Sequence, residues 1–271
     1  MPPEAKSAEL PNGLTLPYAE RGNPSGVPLV LLHGITDSWH SFELVLPHLP
    51  DSMRAIALSQ RGHGDADRPE SGYRPEDFAA DVAAFMDVLQ IPAAVIVGHS
   101  MGASVAQRFA IDYPELTLAL VLIGSRTTWS AHPDFVGLWD SVVSTMTDPV
   151  DPDFVREFQV STLAQPVPPE FLETVVQESL KLPARVWKAV LLEGLLQADF
   201  SADLGQIRAP TLIFWGDQDA MTQNGQEALT AAIAGSRMIV YDGAGHGLHW
   251  EEPARFAEDL AGFVREVASW Q

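Results

Sequence analysis

The stretch VIVGHSMGASVAQRFA, residues 95–110, constrains this chain more than any other. An apolar run suited to a buried strand stops at Gly98, and a helix-like segment starts at Met101 with only His99 and Ser100 between. A strand that reverses into a helix so abruptly brings its two arms into contact. Gly98 and Gly102 then leave room where side chains would collide, and Ser100 at the tip is forced into a strained backbone geometry. G-x-S-x-G between strand and helix is the pattern of a nucleophile elbow, which lifts a hydroxyl out of the backbone at a helix start. The unpaired N–H groups and positive dipole end of that helix favour an oxyanion. On its own the same serine also fits an ordinary helix N-cap, so the reading depends on what else the chain supplies.

Around the elbow, short β-type runs alternate with amphipathic helical stretches. Strands are expected at Leu14–Glu20, Pro28–Leu32, Arg54–Leu58, Val95–Val97, Leu118–Ile123, Thr211–Trp215 and Arg237–Tyr241. Helices are expected at Phe42–Leu49, Pro75–Leu89, Met101–Asp112, Gly225–Ala234 and from Pro253 to about Val267. This rhythm implies a parallel sheet covered on both faces. Between residues 127 and 202 it lapses into four helical stretches, Phe135–Thr145, Asp153–Ala164, Pro169–Lys181 and Arg185–Gln197, separated by proline-rich breaks. The expected division is a core of residues 1–126 and 203–271 and a helical cap of residues 127–202, lying over the carboxyl ends of the strands where ligands bind.

A serine hydroxyl needs a base to take its proton and a third group to orient that base. Downstream, GDQDAMT puts Asp217 and Asp219 after one strand, and DGAGHGLHWEEP puts His246 in a glycine-flanked loop after the next, with His249 three residues beyond as a competing base. The chain order Ser100, Asp219, His246 matches the strand-to-helix serine hydrolases. One oxyanion donor is the N–H of Met101, and a second is expected from the loop after His33 and Gly34.

With these motifs in hand, the chain clearly resembles the α/β-hydrolase superfamily, in its serine esterase and lactonase branch with a helical lid. LLHGIT at 31–36, QRGHGDADRP at 60–69, GHSMG at 98–102 and the pair WGDQD and GAGHGLHWEEP carry the resemblance, which covers nearly everything outside the cap. It implies an α/β-hydrolase fold: a mostly parallel eight-stranded sheet with helices on both faces and a helical cap inserted after strand 6. It selects Asp219, in the G-x-x-D pattern after Gly216, as the acid, and Ile35 as the second oxyanion donor. Asp217 remains the alternative acid. His99 is expected to point away from the nucleophile, and His63 to serve structure.

The residue at the elbow narrows the chemistry. Relatives that open epoxides or remove halide carry an aspartate there, and those that hydrolyse carbon–carbon bonds usually have a longer glycine-rich oxyanion segment and a tryptophan where Gly247 stands. What remains is acyl transfer to water from a small to medium-chain ester or lactone, acyl-homoserine lactones among them, through an acyl-serine. The alternatives kept open are a receptor with slow residual hydrolysis, a cofactor-free perhydrolase and a carbon–carbon hydrolase. Thr36, Arg126, Trp129, Trp139, Trp187 and His249 are the candidate substrate contacts, with Phe135, Leu138, Phe154, Phe158, Leu163 and Leu191 further candidates for an apolar chamber, although aromatic residues at helical spacing also fit a lid core.

No metal or organic cofactor is required for this reaction, and no chelating cluster is visible. Sixteen basic residues against 36 acidic ones give a formal charge of −20, a surface that repels nucleic acid and anionic membrane. With 46% apolar residues, no apolar run of membrane-spanning length, and no cationic-then-apolar start, a cytoplasmic globular protein is expected; the oligomeric state is left open.

Overall fold

The computed structural model describes residues 5–130 and 132–269; residues 1–4, Ala131 and 270–271, which fall within the expected core and cap segments, lie outside the described residues. Eight strands form one sheet: β1 (Ala5–Glu9), β2 (Thr15–Gly22), β3 (Val27–Leu32), β4 (Met53–Leu58), β5 (Ala94–His99), β6 (Thr117–Ile123), β7 (Thr211–Gly216) and β8 (Arg237–Tyr241). Their order is β1-β2-β4-β3-β5-β6-β7-β8. The β1–β2 and β2–β4 pairs are antiparallel, and all other neighbours are parallel. This is the expected α/β-hydrolase sheet. The pattern reading missed β1, because its sequence AKSAE buries only Ala8 and shows no apolar alternation.

The central strands read as continuous apolar runs because both faces are covered. Leu29 and Leu31 face one layer while Val30 and Leu32 face the other, and β5 divides in the same way. Helices α1 (Pro75–Val88) and α2 (Met101–Asp112) pack on the Val30 face through Phe78, Val82, Phe85, Val105 and Phe109. The segment between β6 and β7 holds α3 (Pro133–Ser141), α4 (Pro152–Val160), α5 (Pro169–Leu180) and α6 (Ala184–Ala189), which runs on into a wide turn of π-helix at Val190–Leu196. After β7 come α7 (Gln226–Ala232), the single turn α8 (Leu248–Glu251) and α9 (Pro253–Ala268). Helix α9 closes the Leu29 face with Phe256, Leu260, Phe263, Val264 and Val267, spaced along one stripe.

Proline opens α1, α3, α4, α5 and α9, where its missing N–H costs nothing and its fixed φ suits the first turn. Elsewhere it breaks an expected element. The helix read at 42–49 is two short 3₁₀ turns, Trp39–Phe42 and Leu46–His48, with Pro47 unable to supply a backbone N–H. Among the described residues no helix is long and apolar enough to cross a membrane.

The turn from β5 to α2 is as tight as its sequence implies. A Cβ on Gly98 would stand 2.2 Å from the Gly102 carbonyl oxygen, and one on Gly102 would stand 2.3 Å from that of Leu32. Both obstacles are backbone, so neither can swing aside. Gly98→Ala and Gly102→Ala should each cost about 2–3 kcal/mol of stability, the scale of overpacking a well-packed interior. Chemical denaturation checks this, and a loss within experimental error for both would contradict the geometry.

Candidate active site

Three loops at the carboxyl ends of β5, β7 and β8 bring the predicted residues together. Ser100, at the end of β5, has φ 53° and ψ −116°, a conformation that a non-glycine residue holds only when its surroundings insist. They do, because its N–H donates to the Ile123 carbonyl at the end of β6 (2.9 Å) and α2 begins at the next residue. Asp219 follows β7 and His246 follows β8. His246 Nδ1 lies 2.8 Å from Asp219 Oδ2, and both residues are buried. The imidazole rests on Gly124, where a Cβ would come within 2.8 Å of Nδ1 and Cε1. Nδ1 being engaged, Nε2 is the nitrogen left for the cavity that His246 and Ser100 both line. Among the described residues the Ser100 side chain closes no hydrogen bond.

Asp219 is held as a carboxylate. Burial pushes its pKa upward, but the charge of His246 and hydrogen bonds from His246, Thr222 and the Met221 N–H outweigh that and keep it below the ordinary value. Asp217 has a different task. It accepts from the Gly243 N–H (2.7 Å) and from Gln218, pinning the loop after β8, and makes no contact with His246.

The oxyanion segment follows β3. Met101 is the first residue of α2, so its N–H has no acceptor within the helix, and Ile35 lines the cavity. His33 fixes this loop with both ring nitrogens. Nε2 accepts from the Gln60 N–H (3.0 Å), which leaves the proton on Nδ1 to donate to the Gly34 carbonyl (2.8 Å). Burial and the neighbouring His63 hold His33 neutral, and burial likewise takes His63 down to about 4.

A small, narrow cavity opens beside Ser100 and His246. Its wall comprises Gly34, Ile35, Asp37, His99, Ser100, Met221, His246 and Trp250 from the core loops, with Phe135, Phe158, Gln159 and Thr162 from the helical segment. None of the six predicted substrate contacts is in it. Thr36, at φ 70°, turns its hydroxyl away to Ser179 (3.2 Å) and accepts from Gln159 Nε2 (3.1 Å). Arg126 faces a separate cleft and donates to the Met221 carbonyl. Trp129 packs edge-on against Phe135, one layer behind the wall, and Trp187 is enclosed between Phe154 and Phe158. Trp139 packs on the core. His249 is sealed beneath His99, its rings 4.5 Å apart, and burial takes its pKa down to about 3, so it is no rival base.

Two residues of the wall run against the sequence reading. His99 does not turn away; it lines the cavity, and its ring lies 4.9 Å from that of His246. Asp37 was not singled out at all. It is buried, its Oδ1 accepts from Gln159 Nε2 of α4 (2.9 Å), and burial pushes its carboxyl up to about 7 against Gln159, His246, Ser41 and the Gly34 backbone. The available signal was an acid only three residues past Gly34, in a segment otherwise free of charge.

Burial of neutral histidines has a pH consequence. The unfolded chain takes up protons near the ordinary value of 6.5, while folded His249 does not until about 3, so its share of stability is present above 6.5 and is lost as pH falls through that window. His249→Leu should therefore reduce the stability lost between pH 7 and pH 4 by about 3 kcal/mol. Denaturation at the two pH values reads this directly, and an unchanged loss would contradict it.

Comparison with known proteins yields a family and several relatives. A model of the alpha/beta hydrolase fold matches residues 27–253. A 2-(acetamidomethylene)succinate hydrolase from Mesorhizobium japonicum is 40% identical over 110 residues, 41% of this chain and 39% of that protein. A 2-hydroxymuconate semialdehyde hydrolase from Pseudomonas is 28% identical over 262 residues, 90% of this chain and 88% of that one. Among solved structures, an esterase from Rhodococcus superposes with a TM-score of 0.82 at 26% identity, covering 97% of this chain and 99% of that one.

Proposed function

The chain belongs to the alpha/beta hydrolase fold family, and we propose that it is a carboxylic ester hydrolase acting through an acyl-serine on a small to medium-chain ester or lactone. The observation that carries this reading is the 2.8 Å His246–Asp219 contact at a cavity whose wall includes Ser100. Both named relatives are hydrolases, and the Rhodococcus structure is that of an esterase.

In this reading Ser100 Oγ attacks the ester carbonyl while His246 Nε2 takes its proton, a hydrogen bond that commonly tightens only with substrate in place. Asp219 holds the imidazole in the tautomer with Nδ1 protonated and stabilises the imidazolium that forms. The Ile35 and Met101 N–H groups receive the oxyanion. His246 returns the proton to the leaving alcohol, then activates water to release the acid. A narrow cavity walled mainly by Ile35, Phe135, Phe158, Met221 and Trp250 suits a short apolar acyl chain. Residues 127–202 act as a lid on the core formed by 1–126 and 203–271, contributing Phe135, Phe158, Gln159 and Thr162 to the chamber.

Steady-state hydrolysis of p-nitrophenyl butyrate tests the assignment. Multiple turnovers are expected, and a single burst followed by arrest would favour a receptor instead. Ser100→Ala should lower kcat by roughly 10⁴-fold or more with substrate binding retained, His246→Ala should be about as severe, and Asp219→Asn milder. Asp217→Asn should be milder still. Retention of most activity by the Ser100 variant, or a worse defect at 217 than at 219, would overturn the corresponding role.

A further inference from the structure

Beside Ser100 the cavity wall carries two hydrogen-bond acceptors that the proposed reaction does not use. The first belongs to His99. Its Nε2 lies 3.1 Å from the carbonyl oxygen of His246, and since a carbonyl cannot donate, the proton must be on Nε2. Burial and the nearby His249 and His246 keep the ring neutral, so Nδ1 presents a lone pair. That atom is buried, and it has no hydrogen-bond partner among the described residues. Buried polar atoms are almost always partnered, so an orphan in the wall of a binding cavity marks a place for a ligand group.

The second acceptor is Asp37 Oδ2. Both atoms converge on Gly34, itself part of the wall: a Cβ there would lie 3.0 Å from His99 Nδ1 and 3.1 Å from Asp37 Oδ2. Gln159 Nε2 holds Oδ1, which fixes the carboxyl plane, and Ser41 and the Gly34 backbone add neutral donors to the carboxyl without supplying a positive charge. Among the described residues the wall contains no lysine or arginine to answer the pair. If the carboxyl served only to anchor α4, an amide would meet Gln159 equally well without the cost of a buried acid.

Resting on the esterase reading, we propose that Asp37 and His99 form an acceptor subsite that binds a hydrogen-bond-donating substituent of the acyl chain, a hydroxyl or an ammonium, close to the scissile carbonyl. The preferred substrates are then esters of hydroxy or amino acids rather than of plain fatty acids. A surface of charge −20 is compatible with either donor and disfavours anionic chains.

The test compares p-nitrophenyl butyrate with its 3-hydroxy and 3-amino analogues at pH about 8, above the value near 7 to which burial takes Asp37. Wild type should favour at least one substituted ester by about tenfold in kcat/KM, the scale of one hydrogen bond to a charged acceptor. Preference for the hydroxy ester alone identifies a hydroxyl site, and preference for the amino ester alone an ammonium site. Asp37→Asn keeps the Gln159 bond through its carbonyl but puts an NH₂ donor where Oδ2 stood, so the preference should fall to about one or invert. Because each ratio is taken within one enzyme preparation, a partly unfolded variant does not distort it.

Equal rates for all three esters in wild type, or a preference that Asp37→Asn and Asp37→Ala leave intact, would overturn the subsite. Should no ester be turned over, the esterase reading fails separately. Calorimetric Kd values for the same compounds on Ser100→Ala then decide the subsite alone, with about tenfold tighter binding of a substituted ester expected and equal binding overturning it.

Discussion

The rest of the site depends on how closely α2 is allowed to approach β3 and β5. The helix begins one residue after the sheet ends, and it does so only because Gly98 and Gly102 let backbone pass backbone at distances no side chain permits. That contact lifts Ser100 off the sheet and aims a helix start at the same point. Its strained φ is stabilised by what surrounds it: the Ile123 carbonyl, α2 and the wall of the cavity. The acid and the base need no comparable contortion. They stand on loops after β7 and β8, whose register against β6 is fixed by ladders of parallel hydrogen bonds.

Burial then sorts the titratable groups into roles. His246 alone among the histidines of this cluster has a carboxylate on one nitrogen and the cavity on the other. His33, His63, His99 and His249 are equally enclosed but lack an acid, and desolvation keeps them neutral. Asp219 and Asp37 make the converse pair. Around the first, donors and the charge of His246 outweigh burial and it stays ionised, whereas around the second burial outweighs a similar set of donors. Position in the chain distinguishes none of these; the immediate neighbours do.

This also explains which parts of the molecule were legible beforehand. Continuous apolar strands, proline-opened helices and the glycine corner leave one-dimensional signatures, so the sheet and the loops bearing Ser100, Asp219 and His246 could be read directly. The cavity wall could not, because it depends on which way a side chain turns at a given place. Thr36 and Asp37 are adjacent, and both follow a strand. The positive φ of Thr36 sends its hydroxyl to Gln159 and Ser179 and leaves Asp37 at the cavity. Phe158 and Trp187 differ in the same way, since Trp187 lies beneath the ring of Phe158 and Phe158 reaches the chamber.

The helices between β6 and β7 span nine, nine, twelve and six residues. Lengths of this order are at or below the roughly 12–15 residues at which a lone helix becomes even marginal in water. They therefore persist by packing: α4 meets α6 through the Phe154, Phe158 and Trp187 stack, and the Gln159 amide ties α4 to α5 and to the loop after β3. Their endurance is thus borrowed from the sheet beneath, whose core cluster takes in Phe135, Val155, Val176 and Trp187 as well.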